Sequence, residues 1–315
     1  MRKRLGILLV ALLCTSSCFA ASPATSRIIY STRFEQSEGY QPHLTLAGQS
    51  GWIAEGSGGN GLTTVPFGGT GQQAYIGFFA PTDTNDITTV WRPFTLPAGL
   101  TNKIFEFSVV MNIINSTNSA NDDFRWSFYN LKSQRLFTLD FETSNRAISY
   151  VLDDGVSVPT GLNFEFSGVY TLRVIMNFAR NTWMAILNDV VIATAAKITT
   201  RGAELTLSDV DAVWAVRNPA KPGNNFMVFD DYRITAENVA SIPAFLEPLG
   251  LSKAGDFSLR IYAEPLLNYE VEVTTDFITW FKLGVFPTPN TGIFDFQDTT
   301  AVGEPRGFYR VRQVQ

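Results

Sequence analysis

From Arg27 onward, apolar and polar residues alternate with a period of two, and no segment sustains the 3.6-residue period of an amphipathic helix. Phe105, Phe107, Val109 and Met111 share one face of a run whose other face carries Glu106, Ser108 and Asn112. Phe124, Trp126 and Phe128 alternate with Arg125, Ser127 and Tyr129, and Phe137, Leu139 and Phe141 with Thr138, Asp140 and Glu142. Tyr170, Leu172, Val174 and Met176 alternate with Thr171, Arg173 and Asn177. Turn-forming clusters at 115–118, Asp153-Asp154-Gly155 and Arg180-Asn181 punctuate these runs. Many short strands, each with one apolar and one mixed face, predict an all-β chain built from antiparallel sheets packed face to face. The 25 phenylalanines supply material for the core, each contributing about 1.5–3 kcal/mol when fully buried.

The rhythm changes near residue 236. The stretch 237–253, with Pro243 and Pro248, reads as a linker. Beyond it, short runs at Phe257–Ala263, Tyr269–Thr274, Trp280–Val285, Ile293–Phe296 and Phe308–Arg312 predict a second, small domain over 254–315. Five or six strands in that length is the size of a fibronectin-like sandwich. The Gly-rich stretch Gly48–Gly71 has neither the strand-to-helix context nor the Lys-Ser/Thr of a phosphate loop, and reads as a surface loop.

The first twenty residues point to export. Arg2, Lys3 and Arg4 precede an apolar run from Leu5 to Leu13, and Cys18-Phe19-Ala20 is a small-x-small cleavage site. The expected mature chain begins near Ala21 and is secreted or extracellular, with the periplasm as the alternative compartment. The stretch Thr15-Ser16-Ser17-Cys18 also resembles a lipoprotein box, but Thr15 stands where a branched aliphatic residue is usual. Cys14 and Cys18 are the only cysteines, so cleavage removes every thiol and with it disulfides, thiolate nucleophiles and Cys-ligated zinc. No later segment has the ~20 apolar residues of a membrane-spanning helix.

Charge narrows the partners. The 24 basic and 29 acidic side chains give −5, and losing the leader's three basic residues takes the mature chain to −8. With no Lys/Arg-rich run, the chain is not expected to bind nucleic acid. His43 is the single histidine, which rules out His–His acid/base pairs and multi-His metal sites.

Motif order in the larger region resembles the concanavalin A-like lectin/glucanase superfamily, laminin G-like domains in particular. The residues carrying the likeness are Thr32-Arg33-Phe34-Glu35 with Glu38-Gly39-Tyr40 and Gly48-Gln49-Ser50-Gly51-Trp52, then Tyr170–Val174 with Asn181–Asp189, and Phe229-Asp230-Asp231-Tyr232-Arg233-Ile234. The resemblance implies a jelly-roll β-sandwich over 27–236. The tail, from Tyr269 through Trp280 to Phe308-Tyr309-Arg310-Val311, is similar to small C-terminal β-modules of exported planctomycete and verrucomicrobial proteins, which implies an accessory or spacer role.

Glucanases of this superfamily carry Glu-x-Asp-x-x-Glu on one strand, with the acids projecting into a groove. No such pattern occurs here; Asp140-Phe-Glu142 comes nearest, but it lacks the third acid and its spacing and reads better as a solvated sheet face. No catalytic residue is assigned, and the sequence makes no case for an enzyme. The expected ligand face comprises Glu106, Arg125, Tyr129, Asp140, Glu142 and Arg173, opposite the Phe-rich core, with a glycan or cell-surface polysaccharide as partner. Planar polar groups and an aromatic suit sugar recognition, and the competing reading is an ordinary face laced with cross-strand ion pairs. The resemblance further implies a structural calcium ion clipping the first strand to the last through Glu35 and Asp230, against which stands a plain surface turn at Asp230-Asp231. Glucanase or polysaccharide lyase activity, and a purely structural matrix role, stay open as alternatives.

Overall fold

The computed structural model describes residues 26–64, 71–82, 87–96, 104–237, 244–264, 266–289, 291–303 and 306–314. The expected leader with both cysteines lies outside these residues, as do 238–243 of the expected linker. The chain divides into two compact units, the larger over Ser26–Phe178 and Thr182–Asn238 and the smaller over Val239–Gln315. Among the described residues no helix is long and apolar enough to cross a membrane.

The larger unit is an antiparallel β-sandwich of jelly-roll type. Numbering strands in chain order, the first sheet holds β1 (Ser26–Thr32), β3 (Asn60–Thr63), β4 (Gln73–Gly77), β6 (Ile104–Ile114), β11 (Tyr170–Asn177), β12 (Thr182–Leu187), β13 (Val190–Lys197) and β15 (Phe226–Glu237). Its order is β13-β12-β11-β6-β15-β4-β3, with β1 also paired to β15. The second sheet holds β2 (Ile53–Glu55), β5 (Ile87–Trp91), β7 (Asp123–Tyr129), β8 (Arg135–Glu142), β9 (Ala147–Leu152), β10 (Ser157–Asn163) and β14 (Asp209–Ala215), ordered β10-β9-β8-β7-β14-β5-β2.

Alternation decides which side of each strand turns inward. Phe105, Phe107, Val109, Met111 and Ile113 of β6 are all buried and face Phe124, Trp126 and Phe128 of β7 across the core. The Phe107 ring lies 5.2 Å from Trp126, and Trp126 lies 5.4 Å from Phe229. Phe137 stacks on Trp183 at 4.2 Å, joining β8 to β12. Asn188 and Asp189 both adopt positive φ, the backbone of the tight turn that connects β12 to β13.

The smaller unit is two three-stranded sheets. One joins β16 (Phe245–Leu251), β17 (Phe257–Tyr262) and β20 (Ile293–Asp298); the other joins β19 (Phe281–Pro287), β18 (Asn268–Thr274) and β21 (Phe308–Val314). Leu246, Phe257, Leu259, Ile261, Tyr269, Val271 and Tyr309 form its core. The expected linker 237–253 needs correction here, because Phe245–Leu251 is a strand paired with β17. Pro248 is tolerated because β16 is an edge strand, where a missing N–H breaks no ladder.

Candidate functional site

The outer face of the second sheet carries a strip of polar side chains in unusual settings. Arg125 pairs in register with Asp140 on β8 and with Val213 on β14, and Asp140 pairs with Ser149 on β9. One pleat along, Ser127 lies between Thr138 and Asp211; one further, Tyr129 lies beside Asp209. The indole of Trp126 points into the core, and Tyr129 occupies the opposite face.

Short side chains in this strip are hemmed in by longer neighbours. Ser127, Thr138, Asp140, Ser149 and Asp211 are all buried although none belongs to the apolar core. Arg125 Nε donates to Asp140 Oδ2 at 2.9 Å, and the Ser127 and Thr138 hydroxyls share a 2.8 Å hydrogen bond. Thr89 Oγ1 donates to Asp211 Oδ2 at 3.2 Å, and Ser208 Oγ donates to Asp209 Oδ2 at 2.6 Å. The Asp211 and Asp209 carboxyls hydrogen-bond to each other, whereas Asp140 Oδ1 and Ser149 Oγ are buried without a hydrogen-bond partner among the described residues. Buried polar atoms are rarely left so.

Burial raises the Asp140 carboxyl to about 6, against the opposing pull of Arg125. Burial, reinforced by the charge of Asp209, lifts Asp211 well above the usual carboxylate range. Asp209 is raised by burial too, and Tyr129 is pushed up by burial and by the charge of Asp211. The strip therefore sets a raised, hydrogen-bonded carboxyl pair beside an acceptor oxygen left free on Asp140.

Six side chains were expected on one ligand face, and the structure divides them. Arg125, Tyr129, Asp140 and Glu142 share the outer face of the second sheet. Glu106 and Arg173 do not join them: β6 and β11 belong to the first sheet, where Arg173 grips Glu106 through Nε at 2.8 Å and Nη2 at 3.0 Å. Alternation fixes the face of a strand and leaves its sheet open, which is why the six looked equivalent. Glu142 accepts from Asn145 at 3.2 Å, at the end of the strip. Asp209 and Asp211 were missed. Their signal was present, since acids at i and i+2 alternate with Val210, Ala212 and Trp214, all buried in the core.

Glu35 and Asp230 lie close enough for the charge of Glu35 to help hold Asp230 up. Asp230 rises to about 7, chiefly through burial, opposed by a backbone hydrogen bond from Asp231. Gly71, at φ 117°, makes room for Glu35, since a Cβ there would fall 1.9 Å from Glu35 Oε1. Gln72 donates to the Phe34 carbonyl at 2.8 Å, leaving its buried Oε1 without a partner among the described residues. Two carboxylates and an orphaned amide oxygen suit a hard cation, although no cluster of three His, Cys, Asp or Glu side chains able to hold a metal occurs among the described residues.

No protein-family description and no curated protein matches this chain. Solved structures with similar backbones include a sialidase (10% identity, TM-score 0.43, covering 58% of this chain and 17% of that one). Others are the cellulose-induced protein Cip1 (11%, 0.45, 65% and 96%) and a Bauhinia forficata lectin in complex with GalNAc (11%, 0.43, 69% and 100%). At these identities and scores the likenesses assign neither family nor function.

Proposed function

We propose that the larger unit is a concanavalin A-like glycan-binding module of a secreted protein, and that its ligand lies along Arg125, Tyr129, Asp140, Asp209 and Asp211. The observation that carries this reading is the buried, unpartnered Asp140 Oδ1 on the non-core face of the central strands, beside the hydrogen-bonded carboxyl pair Asp209 and Asp211. A sugar hydroxyl can donate to that oxygen, while Tyr129 offers a ring to the C–H face of a pyranose. In this reading the smaller unit is an accessory module. Export is supported by the basic, apolar and small-residue segments of the first twenty positions. A glycan array probed with the mature protein and with Asp140→Ala tests the assignment: the wild type should bind a defined glycan subset that the variant loses. Identical array profiles would sink it.

A second reading has one specific support. Asp209 and Asp211, both raised mainly by burial, lie on the same face of β14, and glycoside hydrolysis uses two carboxyls that face one groove. Reducing-sugar release from the glycans found on the array separates the readings, since binding alone releases none.

We also propose a cation held by Glu35, Asp230 and the Gln72 amide oxygen. It would supply positive charge between the carboxylates and tie the segment after β1 to β15.

A further inference from the structure

The smaller unit is incompletely filled at one end. A cavity of about 610 Å³ lies there, floored by Phe257 and Tyr309, whose rings stack at 5.1 Å. Leu251, Val273, Phe281 and Leu283 form its apolar walls. Gly255, Gly303, Gly307 and Ala301 also line it and contribute almost no side-chain volume. A cleft of this size, open to solvent on one side and walled by apolar side chains, has the dimensions of a ligand site.

Charge selects among ligands. Among the described residues, Asp298 is the only carboxylate in the lining, and it is fully engaged: Oδ1 accepts from Thr300 N at 2.8 Å and Thr300 Oγ1 at 2.6 Å, and Oδ2 accepts from Tyr309 at 2.8 Å. Lys282 is held by Glu270 at 2.7 Å. Arg306 lines the cavity and makes no hydrogen bond or ion pair with any described residue. The uncompensated charge at an apolar cavity is thus a guanidinium, whose planar fork matches a carboxylate or sulfate. Phe281 and Leu251 are themselves exposed, which leaves an apolar approach from solvent.

We infer that the smaller unit binds a small amphipathic anion, with an aryl or short alkyl body resting on Phe257 and Tyr309 and an acidic head on Arg306. This inference is independent of glycan binding by the larger unit.

Calorimetric titration of the full mature chain with 2-naphthoate, and with its uncharged counterpart 2-naphthamide, tests it. Saturable one-to-one binding of 2-naphthoate is expected, at least about tenfold tighter than the amide. Arg306→Ala should remove that preference and leave amide binding as it was. Ala301→Trp should fill the cavity and abolish binding of both; Thr275→Phe serves the same purpose should the tryptophan variant fail to fold. No saturable binding, equal affinity for acid and amide, or binding that survives filling in a folded variant each overturns the proposal. So does a concentration-dependent dimer in sedimentation velocity that protects the cavity, because the occupant would then be a second copy of the chain.

Discussion

Arg125 satisfies one oxygen of Asp140 and leaves the other bare: Nε reaches Oδ2 at 2.9 Å, while Oδ1, equally removed from water, has no partner among the described residues. The pair is a half-completed site, and its energetics follow from the missing half. Replacing Arg125 by Ala strands a buried carboxylate with neither partner, at a cost of about 1–3 kcal/mol. Urea unfolding at pH 7 and again at pH 5 measures this. The deficit should shrink at the lower pH, because Asp140, already raised to about 6, then escapes its desolvation by taking up a proton.

Stability should fall as pH rises. Asp140, Asp211 and Asp230 are all raised in the folded protein, mainly by burial. Folded molecules therefore hold protons that unfolded ones release, and the stability these groups contribute is lost from about pH 4 upward, through about 6 for Asp140 and, in chelator, about 7 for Asp230. Asp211→Asn removes the group raised furthest and should flatten the dependence at alkaline pH. Melting temperature at pH 8 should rise by about 2–4 °C for each kcal/mol relieved. A variant melting below the wild type throughout pH 5–9 would contradict this.

Tyr129→Ala should cost about 1–3 kcal/mol of binding to any glycan that the array identifies. It should barely affect stability, because the ring lies opposite the Phe124, Trp126 and Phe128 core. Titration of the two proteins with that glycan, beside their thermal melts, measures both effects.

With a cation at Glu35 and Asp230, a chelator should lower the melting temperature, since a ligand binding only the folded state stabilises it by mass action. Glu35→Gln should erase the response. An unchanged melting curve in chelator, together with no metal by elemental analysis, would retire the clip.

Much of this architecture could be read from alternation alone. Phe105 through Met111 and Phe124 through Phe128 face inward as their spacing requires, because a strand that buries the wrong parity exposes its aromatics. Pairing was harder to see. Glu106 and Arg173 are true neighbours, yet neighbours in the sheet away from Arg125 and Asp140, and period two holds no information on which strands meet. The Asp209–Asp211 pair was legible in spacing but not in chemistry: only burial, supplied by strands distant in sequence, raises two ordinary acids together. Pro248 was read as a break because proline is hostile to central strands, and the edge position that excuses it is a property of the assembled sheet.

Strand β15 serves two partners in line, β4 along Phe226–Phe229 and β1 along Tyr232–Glu237, with a break in register against β6 between Asp230 and Arg233. Ser26 at the start of the larger unit thereby lies opposite Glu237 at its end. On a ribosome, β1 waits for the last strand of its unit, and a loop of about 200 residues must close before it is held. A chain organised this way stays open for nearly the whole of its synthesis, the condition in which a polypeptide can still be threaded through a narrow channel.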